Sequence, residues 1–336
     1  MDSIKGGIRI IKETDMQYTQ LSRRSAGVKS SDIDWEKQYL TFIPVENAVF
    51  NWTQNAVGGH LEYSINGGQT WVTIANGKST PTITAGSKVM CRGNLEPSSS
   101  DGIGTFSASG NYNAYGNIMS LLYYDNYYNS QLDSTKHEYA FYKLFESDTH
   151  LLSAPLLTST TLVHGCYGYM FDGCTSLTTA PALPATTLAS GCYSFMFYNC
   201  TSLTTAPDLP ATTLTDYCYS YMFEGCTSLT TAPELPATTL ETSCYRSMFQ
   251  DCTSLTRAPE LPATTLETNC YRNMFAGCTR LNYIKCLATN ISASNSLTAW
   301  VTSVPFKGAF VKAADMNSWR RGPDGIPPGW TIIDNV

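Results

Sequence analysis

Ten of the chain's 12 cysteines, Cys166, Cys174, Cys192, Cys200, Cys218, Cys226, Cys244, Cys252, Cys270 and Cys278, alternate between steps of 8 and 18 residues. Thiols at fixed spacing can hold a metal, pair as disulfides or pack. Zinc sites use cysteines roughly two to four residues apart, so this spacing points to no metal. Free cysteine behaves as a small buried hydrophobe, while a disulfide also needs the right side-chain direction. Packing columns are the expectation, and disulfides the alternative. Asp208, Glu234 and Glu260 also recur at one offset. Like charges stacked about 5 Å apart make a poor acid–base pair, and a solvated face is expected in preference to a Ca²⁺ ladder. His60, His137, His150 and His164 lack a partner motif, and the glycines at 58–59 and 102–104 lack the residues of a phosphate loop. With no nucleophile or acid–base pair in mutual reach, neither an enzyme nor a cofactor is expected.

The cysteine steps sum to 26, and the whole sequence repeats with them: CYGYMFDGCTSLTTAPALPATTLASG is followed by four further copies, the last degenerating after Cys278. A sixth coil lies upstream, where Ala140, Phe141, Leu144 and Phe145 precede their counterparts by one period and Asp148 stands where a cysteine would fall. Terminal repeats are atypical because they close an open core. A period of roughly 20–29 residues with Leu and Cys at fixed offsets marks a leucine-rich-repeat solenoid, each coil giving a strand and a short helix or turn.

The pattern Cys-Tyr-x-x-Met-Phe-x-x-Cys-Thr-Ser-Leu-Thr-x-Ala-Pro-x-Leu-Pro resembles the BspA-like leucine-rich repeats of Bacteroides-type gut bacteria and of the crAss-like phages that infect them. The resemblance covers residues 138 to about 290. It implies a right-handed solenoid with Met196, Phe197, Cys200, Leu203 and Leu209 facing inward and Cys192 in place of an apolar residue.

Upstream, the composition changes. Residues 1–37 carry seven basic side chains and six carboxylates, with Ile8, Ile10 and Ile11 among few large apolar residues. Such a segment buries too little to fold alone; it is expected to be an extended arm that anchors the chain through Ile8, Ile10, Ile11, Arg23 and Arg24. Residues 38–110 are expected to form a small Ig-like β-sandwich, because residues 39–43, 48–52, 60–64, 70–74 and 88–92 alternate or run apolar at strand length. Asn66-Gly67-Gly68 supplies a hairpin turn. The module around YSINGGQTWVTIANGKSTPTITAGSKVMCRGN is similar to one that often precedes BspA-like repeats. Residues 111–137 form a Tyr- and Asn-rich junction, read either as a cover for the first coil's core or as a recognition surface. Residues 138–290 form the solenoid, and 291–336 a C-terminal cap containing Trp300, Trp319 and Trp330.

Some columns vary between coils while the core columns scarcely change. One reads Gly168, Ser194, Ser220, Arg246, Arg272; the next Tyr169, Phe195, Tyr221, Ser247, Asn273; a third pairs Asp172-Gly173 with Tyr198-Asn199 and Glu224-Gly225. Equal offsets stack, so Tyr169, Phe195, Tyr221, Tyr198, Arg246 and Arg272 form a candidate stripe for glycan stacking or a protein partner, with neutral drift the alternative. Nucleic acid is not an expected partner, because 27 carboxylates outnumber 21 basic side chains. No apolar run is long enough to span a membrane.

Two functions follow as expectations. The first is a phage virion structural protein, a head or tail fibre or decoration, whose arm binds capsid or tail proteins and whose solenoid meets a host-surface glycan or protein. Its location is the virion, and a homo-oligomer fits it. The alternative is a secreted or surface-anchored bacterial adhesin, which needs an export signal; none is visible after Met1, so the virion reading is preferred.

Overall fold

The computed structural model describes residues 33–335, and it is mostly β. The anchoring residues Ile8, Ile10, Ile11, Arg23 and Arg24 lie outside the described residues. All five patterns of alternating apolar residues become strands: β1 (Leu40–Pro44), β2 (Phe50–Gln54), β3 (Leu61–Ser64), β4 (Val72–Ile74) and β6 (Val89–Gly93). They are joined by β5 (Lys78–Ser79), β7 (Gly104–Ala108) and β8 (Tyr112–Tyr115). One sheet runs β4-β3-β6-β1-β8 and continues into β9 (Leu151–Ser153); the other runs β5-β2-β7. Phe42 of β1 meets Phe50 and Phe106 of the opposite sheet, each at 5.0 Å between ring centroids. That contact closes a two-layer core.

The tail holds a parallel sheet of β10 (Arg257–Leu261), β11 (Tyr283–Cys286), β12 (Ala309–Ala313) and β13 (Thr331–Asn335). Its register pairs Arg257 with Tyr283 and Tyr283 with Ala309, one 26-residue coil at each step. This is a β-solenoid. Residues 291–335 extend it: Trp300 stacks on Tyr271, and Trp319 on Trp300.

Between β9 and β10 the coils lack continuous strands and touch through single parallel bridges such as Thr187↔Thr213 and Thr205↔Thr231. A short helix per coil is one form the repeat pattern allows, but every fourth residue in the Cys-Tyr segment is left-handed, as at Gly165 (φ 59), Tyr169 (φ 55) and Gly173 (φ 68). The backbone N–H groups therefore alternate in direction. Gly168 and Met170 donate within their coil to Gly165 and Tyr167, while Tyr167, Tyr169 and Phe171 donate across to Cys192, Ser194 and Met196 of the next coil. A helix would keep all of them internal; here half are spent holding neighbouring coils together.

The core is a set of stacked columns. Phe145, Phe171, Phe197, Phe223, Phe249 and Phe275 stack at 5.5 to 5.8 Å. A second column runs from Phe141 through Tyr167, Tyr193, Tyr219, Tyr245 and Tyr271. Met196, Phe197, Cys192, Cys200 and Leu203 are fully buried, and Leu209 nearly so. All 12 cysteines are free and buried. One column also bonds to backbone: the thiols of Cys174, Cys200, Cys226, Cys252 and Cys278 donate to the carbonyls of Phe145, Phe171, Phe197, Phe223 and Phe249 at 3.0 to 3.1 Å. Of the two uses open to these thiols, packing and disulfide pairing, the fold has packing.

The near end of the solenoid meets the sandwich directly. The N–H groups of Ile103 and Phe106 donate to the carbonyls of Ala140 and Leu144, as a preceding coil would. Phe106 and Phe42 lie against Phe145. Asp148, in place of a cysteine, accepts from the Tyr112 hydroxyl and the His150 N–H, both at 2.9 Å. β1 and β7 thus meet the ring of Phe145, while β8, the first strand of the 111–137 junction, pairs with β9 of the first coil. The rest of the junction packs Leu121, Leu122, Tyr127 and Leu132 into the core and holds the segment before β1, the Tyr127 hydroxyl donating to the Lys37 carbonyl at 2.7 Å.

Candidate functional site

The stripe columns sit at the outward end of each coil's Cys-Tyr segment, where alternating N–H groups fix the spacing between coils. Tyr169, Phe195 and Tyr221 are half-buried and stack face to face, with centroids 4.3 Å apart and planes within 9°. Tyr198 tilts against Phe195 at 5.6 Å. A cation closes each end of the stack: Lys143 lies 5.5 Å from the Tyr169 centroid, and the Arg246 guanidinium 5.3 Å from that of Tyr221. Both contacts are attractive through the ring quadrupole. Lys143 precedes Tyr169 by one period and so occupies the same column in the atypical first coil. Arg272 continues the Arg246 column one coil further on, and its Nε, like that of Arg246, is buried without a partner.

This geometry limits which groups the stripe can offer to a glycan or a protein partner. Both faces of Phe195 are covered by neighbouring rings, and the outer faces of Tyr169 and Tyr221 lie under cations. A sugar cannot slide between rings 4.3 Å apart, so the stripe offers ring edges and phenol hydroxyls in place of stacking faces. The backbone there is also unusual. Tyr169, Phe195 and Tyr221 all have positive φ (55, 57 and 61), a conformation that bulky residues avoid.

Beside the stack stand two half-buried carboxylates. Burial, with Glu146 nearby and Lys143 opposing, raises the Asp172 pKa to about 6. Burial and Asp251, with Arg246 opposing, raise that of Glu224 to about 7. One Glu224 oxygen accepts from the Gln250 amide at 3.1 Å, and the other has no partner. Folding therefore favours the protonated forms. Their stabilising contribution is complete below the unfolded values and is lost as pH rises through about 6 and 7. After discounting for partial exposure, each is worth about 1 kcal/mol. Thermal melts should accordingly show a higher midpoint at pH 5 than at pH 8, and the combined Asp172→Asn and Glu224→Gln variant should lose part of that difference. A variant with the wild-type pH dependence would refute the assignment.

The turn column that appeared variable is constrained by packing. It reads Asn199, Gly225, Asp251, Gly277, and a Cβ on Gly225 would lie 2.2 Å from the Asn199 side chain. A side chain at Gly225 would therefore require the Asn199 amide to turn aside, whereas one at Gly173 would meet Ser147 only in ordinary contact, at 3.4 Å. Asp208, Glu234 and Glu260 are exposed, and Glu260 pairs with Lys285 at 2.8 Å.

Among the described residues no His/Cys/Asp/Glu group could hold a metal. Burial pushes the Cys166 thiol up to about 12 and the other thiols upward as well, away from the thiolate that metal binding and nucleophilic attack need. No described helix is long and apolar enough to cross a membrane. Comparison of the chain with protein-family models, with curated proteins and with solved structures finds no match.

Proposed function

We propose that this protein is a non-catalytic adhesive component of a phage virion, a fibre or decoration, whose N-terminal segment fastens it to the particle and whose solenoid meets the host surface. The observation that carries the outward half is the cation-ended stack of Tyr169, Phe195 and Tyr221. Three bulky rings in a row fill left-handed positions that later coils fill with Ser247 and Asn273, so the aromatic run is not a requirement of the coil backbone. The partner is a host-surface protein or glycan that engages ring edges, hydroxyls and the neighbouring carboxylates. The particle half rests on the resemblance of the coils to BspA-like leucine-rich repeats, which is also the basis for reading them as such repeats, and for reading residues 291–336 as the cap that shields the last coil.

Attachment is tested by deleting residues 1–32. Trp35 stacks on Tyr115 at 4.8 Å, and the Asn117 amide donates to the Glu36 carbonyl, so the cut spares the residues that pack on the body. The truncated chain should fold and fail to enter particles; incorporation at normal occupancy would defeat the anchoring role.

A further inference from the structure

Where the first coil meets the junction, a cleft of about 320 Å³ is lined by the polar side chains of Glu36, Gln131 and Thr158, by Tyr128, and by an apolar group of Leu157, Ala182 and Pro184. That volume is at the lower end of the range for small-molecule sites. Its walls are held in place. The Asn117 amide donates to the Glu36 carbonyl at 3.3 Å, and its oxygen accepts from the Thr158 hydroxyl at 3.0 Å. The Gln131 amide oxygen accepts from the N–H groups of Thr160 and Thr161, at 2.8 and 3.1 Å. With its oxygen so engaged, Gln131 has its NH₂ group left to donate. Tyr128 is 42% exposed, and Lys37 lies 5.1 Å from its ring centroid.

The chemistry of the lining narrows the ligand. Among the described residues no cation lines the cleft, Lys37 standing beside Tyr128 outside the lining, and Glu36 adds an acidic residue, so a phosphate or another carboxylate does not belong there. A wholly apolar ligand would suit Leu157, Ala182 and Pro184 but would strip water from the amides, hydroxyls and Glu36 beside them, at a cost of about 1–3 kcal/mol for each group. A neutral ring that presents C–H groups on one side and hydroxyls around its edge suits both kinds of lining. We propose that this cleft is a saccharide-binding site. Tyr128 packs on the sugar ring, Glu36 accepts from a pair of neighbouring hydroxyls, and the Gln131 amide donates to a third. Its residues are separate from those of the ring stack, so either site can fail without the other.

The test uses the full chain and three probes, the methyl glycosides of glucose, galactose and mannose, by saturation-transfer NMR at millimolar concentration. At least one probe should show transfer. That signal should fall at least fivefold in Tyr128→Ala and in Glu36→Gln, and should persist when Tyr169, Phe195 and Tyr221 are all replaced by Ser. Both cleft substitutions are at exposed residues, and Glu36→Gln keeps the shape of the side chain, so an unchanged melting temperature separates lost binding from lost folding. No transfer from any of the three sugars, or transfer unchanged in both cleft variants, would overturn the proposal.

Discussion

Replacing Tyr169, Phe195 and Tyr221 together by Ser should weaken host-cell binding at least tenfold and leave the solenoid folded. The binding loss follows from the weight that buried aromatic anchors carry at interfaces, about 2 kcal/mol or more each at a hot spot. Survival of the fold follows from the column itself, which already accommodates Ser247 (φ 52) and Asn273 (φ 55) in the later coils. Ser keeps the Cβ that makes the left-handed region costly, so the backbone strain is unchanged. Losing each stacked pair removes about 0.5–1.5 kcal/mol beyond area, so the melting midpoint should fall while the inward columns hold the solenoid together. Cell-binding assays and thermal melts on the same preparation provide the check, and normal binding by a folded triple variant would remove the stripe from consideration.

The opposite result is expected two residues further along the same coil. Phe223 is fully buried between Phe197 at 5.6 Å and Phe249 at 5.8 Å, and its carbonyl accepts the Cys252 thiol. Phe223→Ala should cost about 3–5 kcal/mol, the usual range for a large core ring replaced by Ala. Because each coil is stabilised mainly by its two neighbours, a cavity in the middle coil should also uncouple the halves of the solenoid. Denaturant unfolding should then show a lower midpoint and a broadened or split transition. A loss below about 1 kcal/mol would mean that the stacked column is not the packed core described above.

The contrast between Tyr221 and Phe223 shows how far the sequence could be read. Both recur every 26 residues with aromatic counterparts; the invariance of Phe223's column marked it as core, and the variation of Tyr221's column marked it as surface. The five sandwich strands were legible because alternation with a period of two is a local signal. The cation at each end of the stack was only partly legible: Arg246 was read as a stripe residue, whereas Lys143, in an atypical first coil, was missed. The cleft escaped altogether, since Glu36 and Tyr128 are far apart in the chain and belong to segments without periodicity.

By itself, then, the sequence determined the 26-residue period, the inward columns, and the packing role expected of the cysteines, since equal offsets in equal coils must stack. Only the tertiary structure decided what the coils are made of and what their surface can offer. The left-handed residue at every fourth position turns alternate N–H groups toward the next coil in place of a helix. Ring separations of 4.3 Å close the faces of the stripe to a stacked sugar. β7 of the sandwich and β8 of the junction stand in for the missing coil at the near end. Each of these depends on the distance and direction between groups about one coil or more apart in the chain, which the order of the residues does not encode locally.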